Sequence, residues 1–187
     1  LSSLQQYLPV PAERLIGQLT YVKDGAREYS SFAYDNLWLA GPGRFEVSPD
    51  LPLIEGRLVR RAPTKDDSCF HFALADTEPD AWGCRVVARA HAKERKKNPK
   101  LPALTAFDYL SAVDDFSRVG ALRLRDGAGE FLRNVDKGRR ATPPLAELRH
   151  VYDASRAVER GNETDEDLKY LLGKGTSLGG MRPKCTV

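Results

Sequence analysis

Methionine is almost missing from this chain of 187 residues: Met181 is the only one, and residue 1 is leucine. Cysteine is scarce too. Cys69, Cys84 and Cys185 are three, far apart in sequence, and cannot all pair. They read as free thiols in a reducing cytoplasm rather than as a disulfide framework. No run of about 18 apolar residues occurs, so no membrane-spanning helix is expected. The opening LSSLQQYLPV lacks a basic segment followed by an apolar stretch, so it does not read as a signal peptide. Excess charge of one sign is also lacking, with 29 Lys and Arg against 26 Asp and Glu. With 41% hydrophobic residues, that balance excludes a disordered chain. The length suits one domain, or one and a small part. There is no internal repeat and no low-complexity tract. The leucine at position 1 and the end at Lys184-Cys185-Thr186-Val187, where a strand would begin, suggest a piece of a longer protein.

The elements that can be read are of mixed type. Residues Leu15 to Tyr21 alternate as a strand does, Asp24-Gly25 supplies a tight turn, and Tyr29 to Tyr34 forms the return strand. From Ala40 to Asp67, Pro42, Pro49, Pro52 and Pro63 discourage long regular elements. Ser48-Pro49-Asp50-Leu51-Pro52-Leu53 within it reads as a turn followed by an apolar anchor. A helix is expected from Pro79, capped by Thr77 or Glu78, with Trp82, Val86, Val87 and Ala90 inward and Asn98-Pro99 ending it. Thr105 to Val113 reads as a short helix capped by Thr105. Val119 to Leu124 reads as a strand with a partner near Phe131-Leu132. Pro143 to Arg160 is a helix with Leu145, Leu148, Tyr152, Ser155 and Val158 on one face, Thr142 as cap and Gly161 as stop. Asp165 to Leu172 is a last helix, capped by Thr164 and ended by Gly173.

Two segments have chemistry attached. In Gly173 to Lys184, glycines let backbone N–H groups converge on an anion, and lysine adds a point charge for phosphate. A plain surface loop would look the same. It is not a Walker A loop, because Met181-Arg182 follows Gly180. No βαβ unit frames it as a dinucleotide site either. The stretch Arg85 to Lys100 holds seven basic residues and one acid, Glu94. It suits nucleic acid or an acidic partner, but a solvated helix face is the plainer reading, because no aromatics interleave for base stacking. Asp76, Glu78 and Asp80 sit where a helix N-terminus favours acids. Cys69-Phe70-His71 is the closest metal-capable or nucleophilic pairing, and no CxxC or HxxxH supports a metal.

Six stretches come in one order. They are Leu15-Ile16-Gly17-Gln18-Leu19; Phe32-Ala33-Tyr34-Asp35 with Trp38-Leu39; Ser48-Pro49-Asp50-Leu51-Pro52-Leu53; Asp76 with Pro79-Asp80-Ala81-Trp82-Gly83; Arg118-Val119-Gly120-Ala121-Leu122; and Ser177-Leu178-Gly179-Gly180-Met181-Arg182-Pro183-Lys184. Together they resemble the HipA family of bacterial serine/threonine kinases, the toxin half of type II toxin–antitoxin pairs. Cys84 stands where that family usually has arginine, and Met181 where it usually has alanine.

The resemblance implies an α+β fold. A HipA-like, β-rich N-terminal subdomain would span residues 1–125. The beginning of a kinase N-lobe would span 126–187, with the glycine-rich loop at 173–184 and the catalytic lobe absent. It implies that Gly179, Gly180, Met181, Arg182, Pro183 and Lys184 lie over the phosphates of ATP, and that Ser177 is an autophosphorylation site. The catalytic aspartate, the magnesium-binding aspartate and the strand lysine lie C-terminal to this loop in the family. No catalytic or metal-binding residue is therefore assigned here. ATP and magnesium would be cofactors of the intact parent, and this chain alone would bind neither tightly and be inactive. The parent would act in the bacterial cytoplasm on a protein substrate, a translation component being one candidate. Its partner would be a HipB-like helix-turn-helix antitoxin, with no specific DNA binding of its own and no membrane contact. The alternative is a non-catalytic module that docks an antitoxin or regulates the kinase.

Overall fold

The computed structural model describes residues 2–8, 14–64, 67–113, 115, 118–132 and 148–174. It is a mixed α+β structure. In chain order the elements are β1 (Ser2–Leu8), β2 (Arg14–Asp24), β3 (Arg27–Tyr34), α1 (Asn36–Ala40), β4 (Leu58–Arg61), α2 (Phe72–Ala75), α3 (Ala81–Lys97), α4 (Ala106–Ala112), β5 (Arg123–Arg125), α5 (Leu148–Arg160) and α6 (Asp165–Lys174). The chain divides into two compact units, Leu1–Thr77 with Gly120–Leu132, and Glu78–Val119 with Arg133–Val187. The sequence suggests one boundary after residue 125. The first unit is discontinuous in sequence, because β5 returns to the sheet after α3 and α4 of the second unit.

The first unit holds an antiparallel sheet of order β4-β3-β2-β1-β5. The β2–β3 hairpin stands where alternation placed it. Asp24 pairs with Arg27, so Gly25 and Ala26 make the turn, with Gly25 at φ 60°. A residue with a Cβ is strained there. One sheet face packs Leu19, Tyr21, Phe32, Tyr34, Leu51 and Phe70, all at most 6% exposed. In β1, Gln6 faces Gly17 but Tyr7 faces Leu15, so Ile16 bulges out of the pairing. Its carbonyl accepts the Asp35 N–H at 2.8 Å, which fixes the start of α1. β4, four residues long, forms inside the proline-rich stretch, where long regular elements are not expected. Four residues suffice, because β3 offers an open edge. The expected strand from Val119 shrinks to β5, since Gly120 at φ 89° cannot continue one. Its expected partner is present: Arg125 bridges Phe131, and the Leu132 N–H donates to Leu124.

In the second unit, Trp82 and Val86 of α3 pack with Val151, Ala154 and Val158 of α5 and Leu168 and Leu171 of α6. α3 starts later than expected. Asp80, not Thr77 or Glu78, is its cap, accepting the Gly83 N–H at 2.8 Å, and Pro79 precedes the cap. The Thr77 hydroxyl is committed elsewhere, donating to the Leu74 carbonyl. α4 carries the expected Thr105 cap, with Asp108 completing a capping box. On α5 the buried stripe is Val151, Ala154, Ser155 and Val158, while Tyr152, expected inward, is 57% exposed. Arg156 donates to its hydroxyl at 2.7 Å. Gly161, at φ 73°, ends α5 as expected. Thr164 caps α6, accepting the Asp167 N–H at 3.0 Å, and α6 runs one residue past Gly173. Thr142, Pro143 and Leu145 lie outside the described residues. No helix among the described residues is long and apolar enough to cross a membrane.

Candidate functional site

Three of the six stretches, 15–19, 32–39 and 48–53, meet in one corner of the first unit. The Tyr34 hydroxyl donates to the Leu51 carbonyl at 2.7 Å and accepts the Val47 N–H at 3.1 Å. Asp35 caps α1 by accepting the Leu37 N–H at 2.8 Å. That capping swings Trp38 into the core, where it is 2% exposed and meets Phe45 edge-on at 5.1 Å. Beside these residues Leu15, Gly17, Gln18, Ala33, Tyr34, Asp35 and Asn36 line an open cleft of about 260 Å³. Gly17 is one of the lining residues. A Cβ there would sit 2.4 Å from the Ala33 carbonyl oxygen and 2.5 Å from the Phe32 ring.

Asp50 is the most heavily bonded carboxylate of the unit. Ser48 Oγ donates to Oδ1 at 2.5 Å, the Phe72 N–H donates to both oxygens, and Arg60 Nη1 reaches Oδ2 at 3.3 Å. His71 Nδ1 stands 3.0 Å from Oδ2, and His71 Nε2 stands 3.0 Å from the Leu58 carbonyl. Burial alone would raise the Asp50 pKa. Hydrogen bonds from Ser48, Phe72 and His71 outweigh it and hold the carboxyl below its usual 3.8. An Asp–His pair is also the skeleton of general-base catalysis. Here the ring is 4% exposed and both nitrogens face acceptors, so no nitrogen is left for a substrate. Nor does His71 serve Cys69, which is buried with its carbonyl accepting from Ser30 Oγ at 2.6 Å. The corner is a structural clasp between the 48–53 turn, β4 and α2.

In the second unit, the basic stretch is partly spent. Arg89 faces Glu163 at 3.6 Å, and the Lys93 ammonium donates to the Glu163 carbonyl. Lys93 also lies 3.7 Å from Asp165, and Lys97 2.5 Å from it. Arg85, Arg95, Lys96 and Lys100 have no carboxylate partner among the described residues. The hydrogen bond from Lys97, then its charge, lowers the Asp165 pKa. Cys84 is no activated nucleophile. Burial, then the charges of Glu78 and Asp80, push its thiol above the usual 9.0, and Sγ donates to the Pro79 carbonyl at 3.3 Å.

Gly179, Gly180, Met181, Arg182, Pro183, Lys184 and Ser177 lie outside the described residues, as does Cys185. Among the described residues, no three of His, Cys, Asp and Glu come together as metal ligands. The network at Asp50 escaped the sequence reading, because its partners are 2, 10, 21 and 22 residues away. The local signal was the Ser48–Asp50 spacing of a side-chain-closed turn. Comparison with protein-family models and with curated proteins gives no match to this chain.

Proposed function

We propose that this chain is the N-terminal part of a HipA-type serine/threonine protein kinase toxin. The observation that carries the reading is the six stretches in family order, ending in Ser177-Leu178-Gly179-Gly180-Met181-Arg182-Pro183-Lys184. The bonding of the first unit supports it. Tyr34, from one stretch, holds Leu51, from another, and Asp35 starts the helix that buries Trp38.

In this reading the protein transfers the γ-phosphoryl group of ATP to a protein hydroxyl, in partnership with a HipB-like antitoxin. Such catalysis is positioning and neutralisation of charge. Gly179 and Gly180 supply backbone donors to the phosphates, and Arg182 and Lys184 supply positive charge. Magnesium would supply positive charge that neutralises the phosphates. The described residues contain no carboxylate cluster suited to hold it, and no step is assigned to it. The test is incubation of the protein translated from the whole reading frame with labelled ATP and magnesium. Phosphate on Ser177, located by mass spectrometry, is the expected result. Failure to label Ser177 or any added protein rejects the reading.

A second reading, a non-catalytic docking or regulatory module, draws on one observation. Leu37, Phe45, Ile54, Val59 and Phe72 of the first unit are all at least 49% exposed. A module would bind a helix-turn-helix antitoxin while transferring no phosphate, and the same labelling experiment separates the two.

A further inference from the structure

Arg14, at the start of β2, has an exposed side chain that makes no hydrogen bond or ion pair among the described residues. Its guanidinium lies over the Trp38 indole, 5.2 Å from the ring centroid, and Trp38 itself is locked in the core. Two glycines of the turn after α1 close in on the same group. A Cβ at Gly41 would stand 2.9 Å from Arg14 Nη2, and one at Gly43 would stand 3.3 Å from Nη1. Side chains at either position would displace the guanidinium. Two other arginines of the unit spend donors internally, Arg44 on the Leu39 carbonyl and Arg60 on Asp50. Arg14 donates no hydrogen bond and faces no carboxylate among the described residues. The turn leaves one further donor. The Gly41 N–H goes to the Trp38 carbonyl and the Arg44 N–H to the Gly41 carbonyl, while the Gly43 N–H has no acceptor among the described residues.

We infer that Arg14 anchors an oxyanion site, with the Gly43 N–H beside it, that takes a carboxylate or phosphate group. A guanidinium lying over an aromatic ring can still present paired N–H donors matched to two oxygens of one anion. Stacking and the glycine turn pay in advance the side-chain ordering that binding would otherwise cost. The inference does not depend on the kinase reading.

The experiment is a titration of the isotopically labelled chain with acetate and, separately, inorganic phosphate, at constant ionic strength, followed by amide and indole N–H resonances. The expected result is saturable movement of the Trp38 indole N–H and the Gly41 and Gly43 amides. The tighter of the two anions identifies the group as carboxylate or phosphoryl. Arg14→Gln should weaken binding about tenfold or more. Arg14→Lys should weaken it comparably, because an ammonium keeps the charge without the paired donors. Shifts that fail to saturate with both anions overturn the proposal, as does an unchanged affinity in Arg14→Lys. Thermal melts check that the variants fold, and the wild-type titration stands on its own if they do not.

Discussion

Asp50 shows how one side chain can hold a region without strands or helices long enough to hold themselves. Its carboxylate is 17% exposed and gathers donors from Ser48, Arg60, His71 and the Phe72 backbone. Replacing it strands those donors, so Asp50→Ala should lower stability by about 2–4 kcal/mol, read from urea melts at neutral pH. The pH dependence follows from the lowered pKa. With the folded value below the unfolded one, the contribution is complete above the usual 3.8 and is lost as pH falls through the lower folded value. Asp50→Asn should therefore be less stable at pH 7 and show a shallower loss below about pH 4. An acid limb as steep as wild type would mean that other carboxylates govern it. Gly17 makes the opposite kind of demand, for empty space. Gly17→Ala drives a methyl into the Ala33 carbonyl and the Phe32 ring, and should cost about 1–3 kcal/mol in the same assay.

At the scale of elements, α3 is the informative case. Composition alone makes Arg85 to Lys100 a candidate nucleic-acid surface. The connection from α5 to α6 brings Glu163 and Asp165 against Arg89, Lys93 and Lys97, and so uses three of the seven cations internally. Four cations remain. The log–log salt dependence of any DNA binding by this helix should be no steeper than about −3.6, with no sequence preference. Band shifts across a salt series check this, and tight sequence-specific binding would contradict it. Helix positions were legible because period and caps are local. Thr105 and Thr164 cap where expected. The face of α5 was not fully legible, since aromatic Tyr152 suits either side and the packing of Val151, Ala154 and Val158 leaves it exposed.

For the whole molecule, the kinase reading makes Ser177 a switch. Phosphate there adds about −1.5 to −2 charges beside the donors that would face ATP. It would compete for the same N–H groups and repel the nucleotide. In the protein translated from the whole reading frame, Ser177→Asp should weaken ATP binding by calorimetry, while Ser177→Ala should retain it. Equal affinities would leave Ser177 a turn-capping role only.

The sequence by itself determined the mixed α+β class, the β2–β3 hairpin, the α3, α4 and α6 helices and the apolar anchor at Leu51, which is 0% exposed. These rest on side-chain period, turn glycines and caps, all set within a few residues. Tertiary structure decided what distant partners control. It recruited Leu58–Arg61 to the open edge of β3 and used the bulged Ile16 carbonyl to start α1. It also divided α3's cations into those with and those without a carboxylate partner among the described residues, and set Arg14 over Trp38 with no counter-charge among them. Each of these depends on groups that only the folded chain brings within a few ångströms, a distance over which hydrogen bonds and ion pairs act and sequence patterns carry no information.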